Sequence, residues 1–200
     1  MWARIHTQVS ARAATKRFEQ RGGGLVPAPR DALRIKRIEQ GVLRAHTAAM
    51  KTCTVPTQFG DLILVEEDQH LIALRWGHAP SEDRTEVLEE ARRQLRAYAA
   101  GQLQAFDLPL RVRGTDFQRA VCSAMSAIPF GDTCTYGDIA KQLGVPAQAV
   151  GQACGGNPIP VIIPCHRVMG AKGLTGFSGG AGVETKVVLL RHEGAGGFLI

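Results

Sequence analysis

No stretch of this chain approaches the roughly 18 consecutive apolar residues that a membrane-spanning helix needs, and its start lacks the apolar core of a secretory signal. No membrane partner is expected, and the expected compartment is the cytosol. The chain also lacks a CxxC pair and any Cys/His cluster at zinc-finger spacing. Its cysteines, Cys53, Cys122, Cys134, Cys154 and Cys165, are odd in number. That argues against a closed disulfide framework and a sequence-evident metal site, and leaves at least one thiol free to react. What is present is an ordinary globular composition: 200 residues, 44% hydrophobic, enough for one domain or two small ones.

The formal charge of +6 is unevenly held. Residues 1–49 carry ten Lys or Arg against three acids, whereas residues 50–200 carry fourteen against fifteen. Within the latter, residues 50–109 have six bases and ten acids, and residues 110–200 eight bases and five acids. A DNA contact is therefore expected from the C-terminal half, through a modest number of phosphates. Residues 1–49 are rich in Arg and Ala, are interrupted by Gly22-Gly23-Gly24, and show no sustained periodicity. They read as a disordered extension with a helical piece between Asp31 and Met50; a transit peptide, or sequence upstream of a start at Met50, are the other readings.

From Lys51 the pattern is regular. Cys53–Pro56, Asp61–Glu66 and Leu71–Trp76 are short runs separated by Phe59-Gly60-Asp61 and Glu67-Asp68-Gln69, which predicts adjacent antiparallel strands. Ser81-Glu82-Asp83 is a cap signal ahead of Val87, Leu88, Ala91, Leu95 and Tyr98 at helical spacing, with Gly101 as the stop. Leu108–Val112 reads as a further strand or an extended linker. No catalytic constellation is visible in this half.

The C-terminal half reads as mostly helical. Thr115 caps a segment whose Phe117, Ala120, Val121, Ala124, Met125 and Ile128 share a face. Thr135–Gly144 and Ala147–Cys154 then form two short helices joined through Gly-Val-Pro, the shape of a helix-turn-helix. The stretch Ile163-Pro164-Cys165-His166-Arg167-Val168 carries the chemistry. Proline biases Ile163 to an extended conformation, so the cysteine is expected on a stiff extended segment. Free thiols are mostly protonated at neutral pH, so a working Cys165 needs a base, and His166 is the nearest. In extended backbone consecutive side chains diverge, so a water or a bend is required between them.

Several motifs occur in order: Ile128-Pro129-Phe130-Gly131, Thr135-Tyr136-Gly137-Asp138-Ile139-Ala140, Ala149-Val150-Gly151, Gly156-Asn157-Pro158, Ile163 to Val168 as above, Gly176-Phe177-Ser178-Gly179-Gly180, and Leu189-Leu190-Arg191-His192-Glu193-Gly194. In this series, from about Lys51 to Gly194, the chain resembles the O6-alkylguanine-DNA alkyltransferases (methylated-DNA-protein-cysteine methyltransferases). The resemblance implies an α+β protein. An N-terminal ribonuclease-H-like sheet domain with a covering helix would span residues 50–110. A C-terminal helical, winged-helix-like domain with the helix-turn-helix would span residues 111–196 and read the minor groove. It implies direct reversal of DNA damage, in which a flipped-out O6-alkylguanine of double-stranded DNA gives its alkyl group to Cys165 in a single turnover; O4-alkylthymine as a substrate stays open. No cofactor is implied, and the acting form would be a monomer.

By the same resemblance His166 takes the thiol proton through a water, Glu193 orients that histidine, and Tyr136 donates to the departing guanine. Asn157 braces the turn before the cysteine. Ser178, Phe177 and the backbone of Val168 border the base, and Thr135, Ala147, Gln148 and Gly151 face DNA. Arg167 reads as structural. Gln148 stands where the family usually has an arginine that fills the gap left by the flipped base, Phe177 where it often has tyrosine, and the turn from Gly144 to Ala149 looks about two residues shorter. A cysteine-histidine hydrolase, or a helix-turn-helix lesion sensor with an idle cysteine, would use some of the same features.

Overall fold

Short apolar runs separated by turn residues build a three-stranded antiparallel sheet, β1 (Lys51–Val55), β2 (Leu62–Glu67) and β3 (His70–Trp76), in the order β1-β2-β3; buried residues alternate in β1 and run consecutively in β2 and β3. The structure, a computed structural model, describes residues 49–174 and 176–195. The extension expected over residues 1–49 thus lies outside the described residues except for Ala49. Asp68 and Gln69 both take positive φ, 48° and 61°, the geometry that lets a two-residue hairpin turn follow the strand twist. Pairing slips by one residue between Val65 and Glu66, a bulge of the kind that bends a strand.

Helix α1 (Glu86–Ala99) covers this sheet and buries Leu88, Ala91, Leu95 and Tyr98. Its N-cap is Thr85, not the Ser81–Asp83 cluster: Thr85 Oγ1 accepts from Leu88 N at 3.1 Å and donates to Glu66. Those three residues are held instead by the edge strand. Asp83 accepts from Thr52 N at 2.9 Å, Glu82 from Thr54 N at 3.0 Å, and the Ser81 hydroxyl bonds that of Thr52 at 2.8 Å. They satisfy backbone donors that an open edge would leave exposed. Of the strand or extended linker expected over Leu108–Val112 the structure has the linker, joined to the sheet by a single bridge in which Leu71 N donates to Pro109 O at 2.8 Å and Arg111 N to Leu71 O at 2.9 Å.

Four further helices follow among the described residues: α2 (Asp116–Ser126), α3 (Tyr136–Leu143), α4 (Ala147–Gly155) and α5 (Val183–His192). Helix α3 begins in a capping box between Thr135 and Asp138 and ends at Gly144 in the left-handed region, φ 67°, so the chain turns sharply into α4 at Pro146. Gln118 of α2 donates to Ala153 O at 2.8 Å, tying the first of these helices to the end of α4. A two-residue parallel ladder joins β4 (Cys134–Thr135) to β5 (Val168–Met169). It fixes the start of α3 against the residues that follow the cysteine motif.

Thr85→Ala removes the cap of α1 and the partner of Glu66. It is expected to cost about 1 kcal/mol, read as a fall in Tm of roughly 2–4 °C in a thermal melt.

Candidate active site

Between α4 and β5 the chain makes a loop pinned by one side chain. Asn157 Nδ2 donates to Ile163 O at 2.8 Å, and its Oδ1 accepts from Ile159 N at 3.1 Å. Inside that loop Val161 is buried with φ 73°, a conformation costly for a β-branched residue and held only because its surroundings over-determine it. Pro158 O accepts from Leu74 N at 2.9 Å, so β3 anchors the loop from the other half of the fold.

The extended presentation expected for the cysteine motif is corrected by the structure: Cys165–Arg167 is one turn of 3-10 helix, with Arg167 N donating to Pro164 O at 3.0 Å. The proline argument captured local bias only. The turn is enforced from outside, by the Asn157 brace and by the two side chains that follow the cysteine, both of which point into the protein. His166 is wholly buried and Arg167 nearly so.

Both converge on Glu193, the residue that closes α5. His166 Nε2 donates to Glu193 Oε1 at 2.8 Å; Arg167 Nε donates to Oε2 at 2.8 Å and Nη2 to Oε1 at 3.0 Å. The third nitrogen of Arg167, Nη1, reaches Ile128 O at 2.6 Å, fastening the motif to the end of α2. Burial alone would raise the Glu193 carboxyl, but the hydrogen bonds from His166, Arg167 and Tyr98 hold it at about 2. Burial pulls His166 below the ordinary histidine value, against the pull of Glu193. The ring is therefore neutral at pH 7, with its proton on Nε2 and Nδ1 free to accept. Nδ1 is buried and has no hydrogen-bond partner among the described residues.

Burial pushes the Cys165 thiol up, and hydrogen bonding from Asn157 and the charge of Lys186 oppose it. Lys186, on α5, is fully buried and donates to Val168 O at 2.6 Å. Cys165 lines two cavities, of about 360 and 320 Å³, that share Cys154, Phe177 and Ser178. The smaller opens along the helix-turn-helix, past Tyr136, Gly151 and Gly155. The larger reaches Trp76 and Arg75 of β3. The loop Phe177–Gly180 lies against Trp76 so closely that a Cβ on Gly179 would sit 2.5 Å from its ring.

Of the residues singled out from sequence, the structure gathers Cys165, Tyr136, Gly151, Phe177, Ser178 and Asn157 around these cavities and places His166 and Glu193 behind the cysteine. Ala147 and Gln148 are exposed in the first turn of α4. The hydroxyl of Thr135 is engaged in the capping box, accepting from Asp138 N at 3.1 Å, and Val168 is buried with its carbonyl on Lys186. Two participants were not singled out. Lys186 lies seven residues before Glu193 on one helical face, a spacing that was legible. Tyr98 reads as core from its apolar spacing, and its hydroxyl donates to Glu193 Oε1 at 2.7 Å. The N-terminal half thus does contribute to the constellation. Among the described residues no cluster of His, Cys, Asp and Glu could hold a metal, and no helix is long and apolar enough to cross a membrane.

A cysteine backed by a histidine-carboxylate pair, in a cavity that opens along a helix-turn-helix, defines a nucleophilic protein built to act on DNA. Models of the 6-O-methylguanine DNA methyltransferase family match this chain in two parts, the ribonuclease-like domain over residues 50–112 and the DNA-binding domain over residues 116–195. The chain belongs to that family. The methylated-DNA--protein-cysteine methyltransferase of Mycolicibacterium paratuberculosis is 45% identical over 150 residues, covering 70% of this chain and 90% of the relative. That of Methanosarcina acetivorans is 50% identical over 113 residues, covering 55% and 71%. The crystal structure of the Mycobacterium tuberculosis O6-methylguanine methyltransferase matches with TM-score 0.66 at 42% identity, over 73% of this chain and 93% of that one. That of Mycobacterium tuberculosis OGT in complex with DNA matches with TM-score 0.65 at 43% identity, over 72% and 92%.

Glu193 titrates near 2 in the folded chain against an ordinary 4.5. Its contribution to stability is therefore complete above about pH 4.5 and lost as pH falls through about 2. Glu193→Gln leaves Arg167 buried without its counter-charge and is expected to cost about 3–5 kcal/mol at pH 7 in urea titrations, with a shallower loss of stability over the acid range than the parent chain shows.

Proposed function

We propose that this protein repairs DNA by direct reversal, taking a methyl or larger alkyl group from O6 of guanine in duplex DNA onto Sγ of its own Cys165. The observation that carries the reading is the buried Glu193–His166 pair behind a cysteine whose cavity begins at the helix-turn-helix. The lesion base leaves the stack and enters the cavity between Tyr136, Ser178 and Phe177. The Cys165 proton passes through a water to His166 Nδ1, and Glu193 offsets the imidazolium charge that forms. The thiolate attacks the alkyl carbon, the carbon-oxygen bond breaks, and the guanine anion takes a proton from the Tyr136 hydroxyl, which solvent restores as His166 gives up the proton it received.

The product is a thioether with no carbonyl for water to attack, so each chain reacts once, without a cofactor. Burial of the thiol fits this order: it keeps the resting cysteine protonated, and the proton passes to His166 as an alkylating group reaches the cavity. One chain supplies Cys165, His166, Glu193 and Tyr136, so the proposed acting unit is the monomer, working in the cytosol. A lesion sensor with an idle cysteine is not favoured, because it has no use for a histidine held neutral behind the thiol.

Intact mass and peptide mapping after mixing with a duplex containing O6-methylguanine test the reading. One methyl is expected on Cys165 and none in Cys165→Ser; lesion binding with no added mass would overturn it. Gln148 is exposed at the start of α4, where an arginine would reach the duplex. Gln148→Arg is expected to tighten binding to a lesion duplex and steepen its salt dependence by about one counterion, read by fluorescence titration at several salt concentrations.

A further inference from the structure

We infer that Tyr98 is a positioning residue for the Cys165 relay: from the helix that covers the N-terminal sheet, its hydroxyl sets how strongly Glu193 holds His166. The role in alkyl transfer rests on the reaction proposed above; the role in tuning the relay does not.

Glu193 accepts four hydrogen bonds, about the capacity of a carboxylate. Three of the donors share Oε1: Tyr98 Oη at 2.7 Å, His166 Nε2 at 2.8 Å and Arg167 Nη2 at 3.0 Å. Each donor draws electron density from that oxygen, so the tyrosine competes directly with the histidine for it. The tyrosine ring is fully buried and is packed by Phe59, Phe106 and Phe130 at 5.8, 5.2 and 6.2 Å.

The backbone is fixed as well. His192 Nε2 bonds Tyr98 O at 2.7 Å, and Gln58 Nε2 bonds His192 Nδ1 at 3.2 Å, so the ring is held at both nitrogens. Burial, together with the charge of Glu193 and the bond to it, pushes the Tyr98 hydroxyl far above its ordinary range, so it keeps the proton that it donates to Glu193. The charged and titratable groups around this point are His166 and Arg167 from the cysteine turn, and Lys186, His192 and Glu193 from α5. Arg96 of α1 and Arg191 of α5 lie at the surface.

A phenylalanine would fill the same space, so the hydroxyl is what the inference concerns. Without it Glu193 Oε1 binds His166 more strongly, and the imidazole holds a proton to higher pH. The base form of His166 is then lost sooner as pH falls.

The test follows two rates on the full chain between about pH 5 and 8, both read by mass at the Cys165 peptide. One is single-turnover methyl transfer from an O6-methylguanine duplex, and the other is alkylation by iodoacetamide without DNA. Tyr98→Phe is expected to move the acid limb of both profiles upward by about half a pH unit. Site-specific 3-fluorotyrosine at position 98, a stronger donor, moves it downward. Limbs that coincide with the parent's in both variants, with or without a uniform loss of rate, would reduce Tyr98 to packing and overturn the inference. If Tyr98→Phe does not fold, the fluorotyrosine arm decides alone. If the parent chain gains no methyl while the iodoacetamide limb still moves, the relay inference stands and the proposed reaction falls.

Discussion

A single buried carboxylate organises this molecule. Glu193 sits at the end of the last helix, and its two oxygens collect Arg167 and His166 from the cysteine turn and Tyr98 from the helix over the sheet. An ionised carboxylate out of water is costly unless every lone pair is used and its charge is met. Here four donors reach the carboxylate, three on Oε1 and one on Oε2, and Arg167 supplies the charge. One interaction therefore does three things. It closes the C-terminal helix onto the cysteine turn, joins the two halves of the fold at a point neither could satisfy alone, and leaves His166 neutral with one nitrogen free.

The cysteine is placed with similar economy. Asn157 fixes the loop before it, the β4–β5 ladder fixes the chain after it, and the same ladder starts helix α3 with Tyr136 as its first residue. Reacting thiol, proton donor and helix-turn-helix are thus referenced to one short segment. A strained Val161 and a buried Lys186 are tolerated within it because neighbouring groups hold each in place. Such local departures from low-energy geometry gather where a site must be rigid. In that setting a thiol kept protonated by burial is consistent with a protein that reacts once and is consumed.

Much of this was legible before the structure, because turn residues, caps and glycine stops are local signals: the three strands, the Thr115 cap and the Gly144 stop follow from residues within a few positions of one another. The ordered motifs likewise pointed to Cys165, His166 and Glu193. Where the sequence misled, a distant partner decided the outcome. Ser81, Glu82 and Asp83 look like a helix cap, but their side chains go to the backbone of β1, and Thr85 takes the role. The cysteine turn looks extended from its proline, but Asn157 and Glu193 fold it. Tyr98 has the spacing of a core residue, and nothing near it in the chain announces a carboxylate 95 residues away.

The central claim is the protonation state of His166, and nitrogen NMR of the histidine-labelled chain reads it directly, with His166→Gln assigning the signal. A neutral ring with its proton on Nε2, persisting at pH 7 and in mild acid below the ordinary histidine value, is the result this account predicts. An imidazolium at pH 7, or a neutral ring carrying its proton on Nδ1, would contradict it, since neither could accept the proton of Cys165.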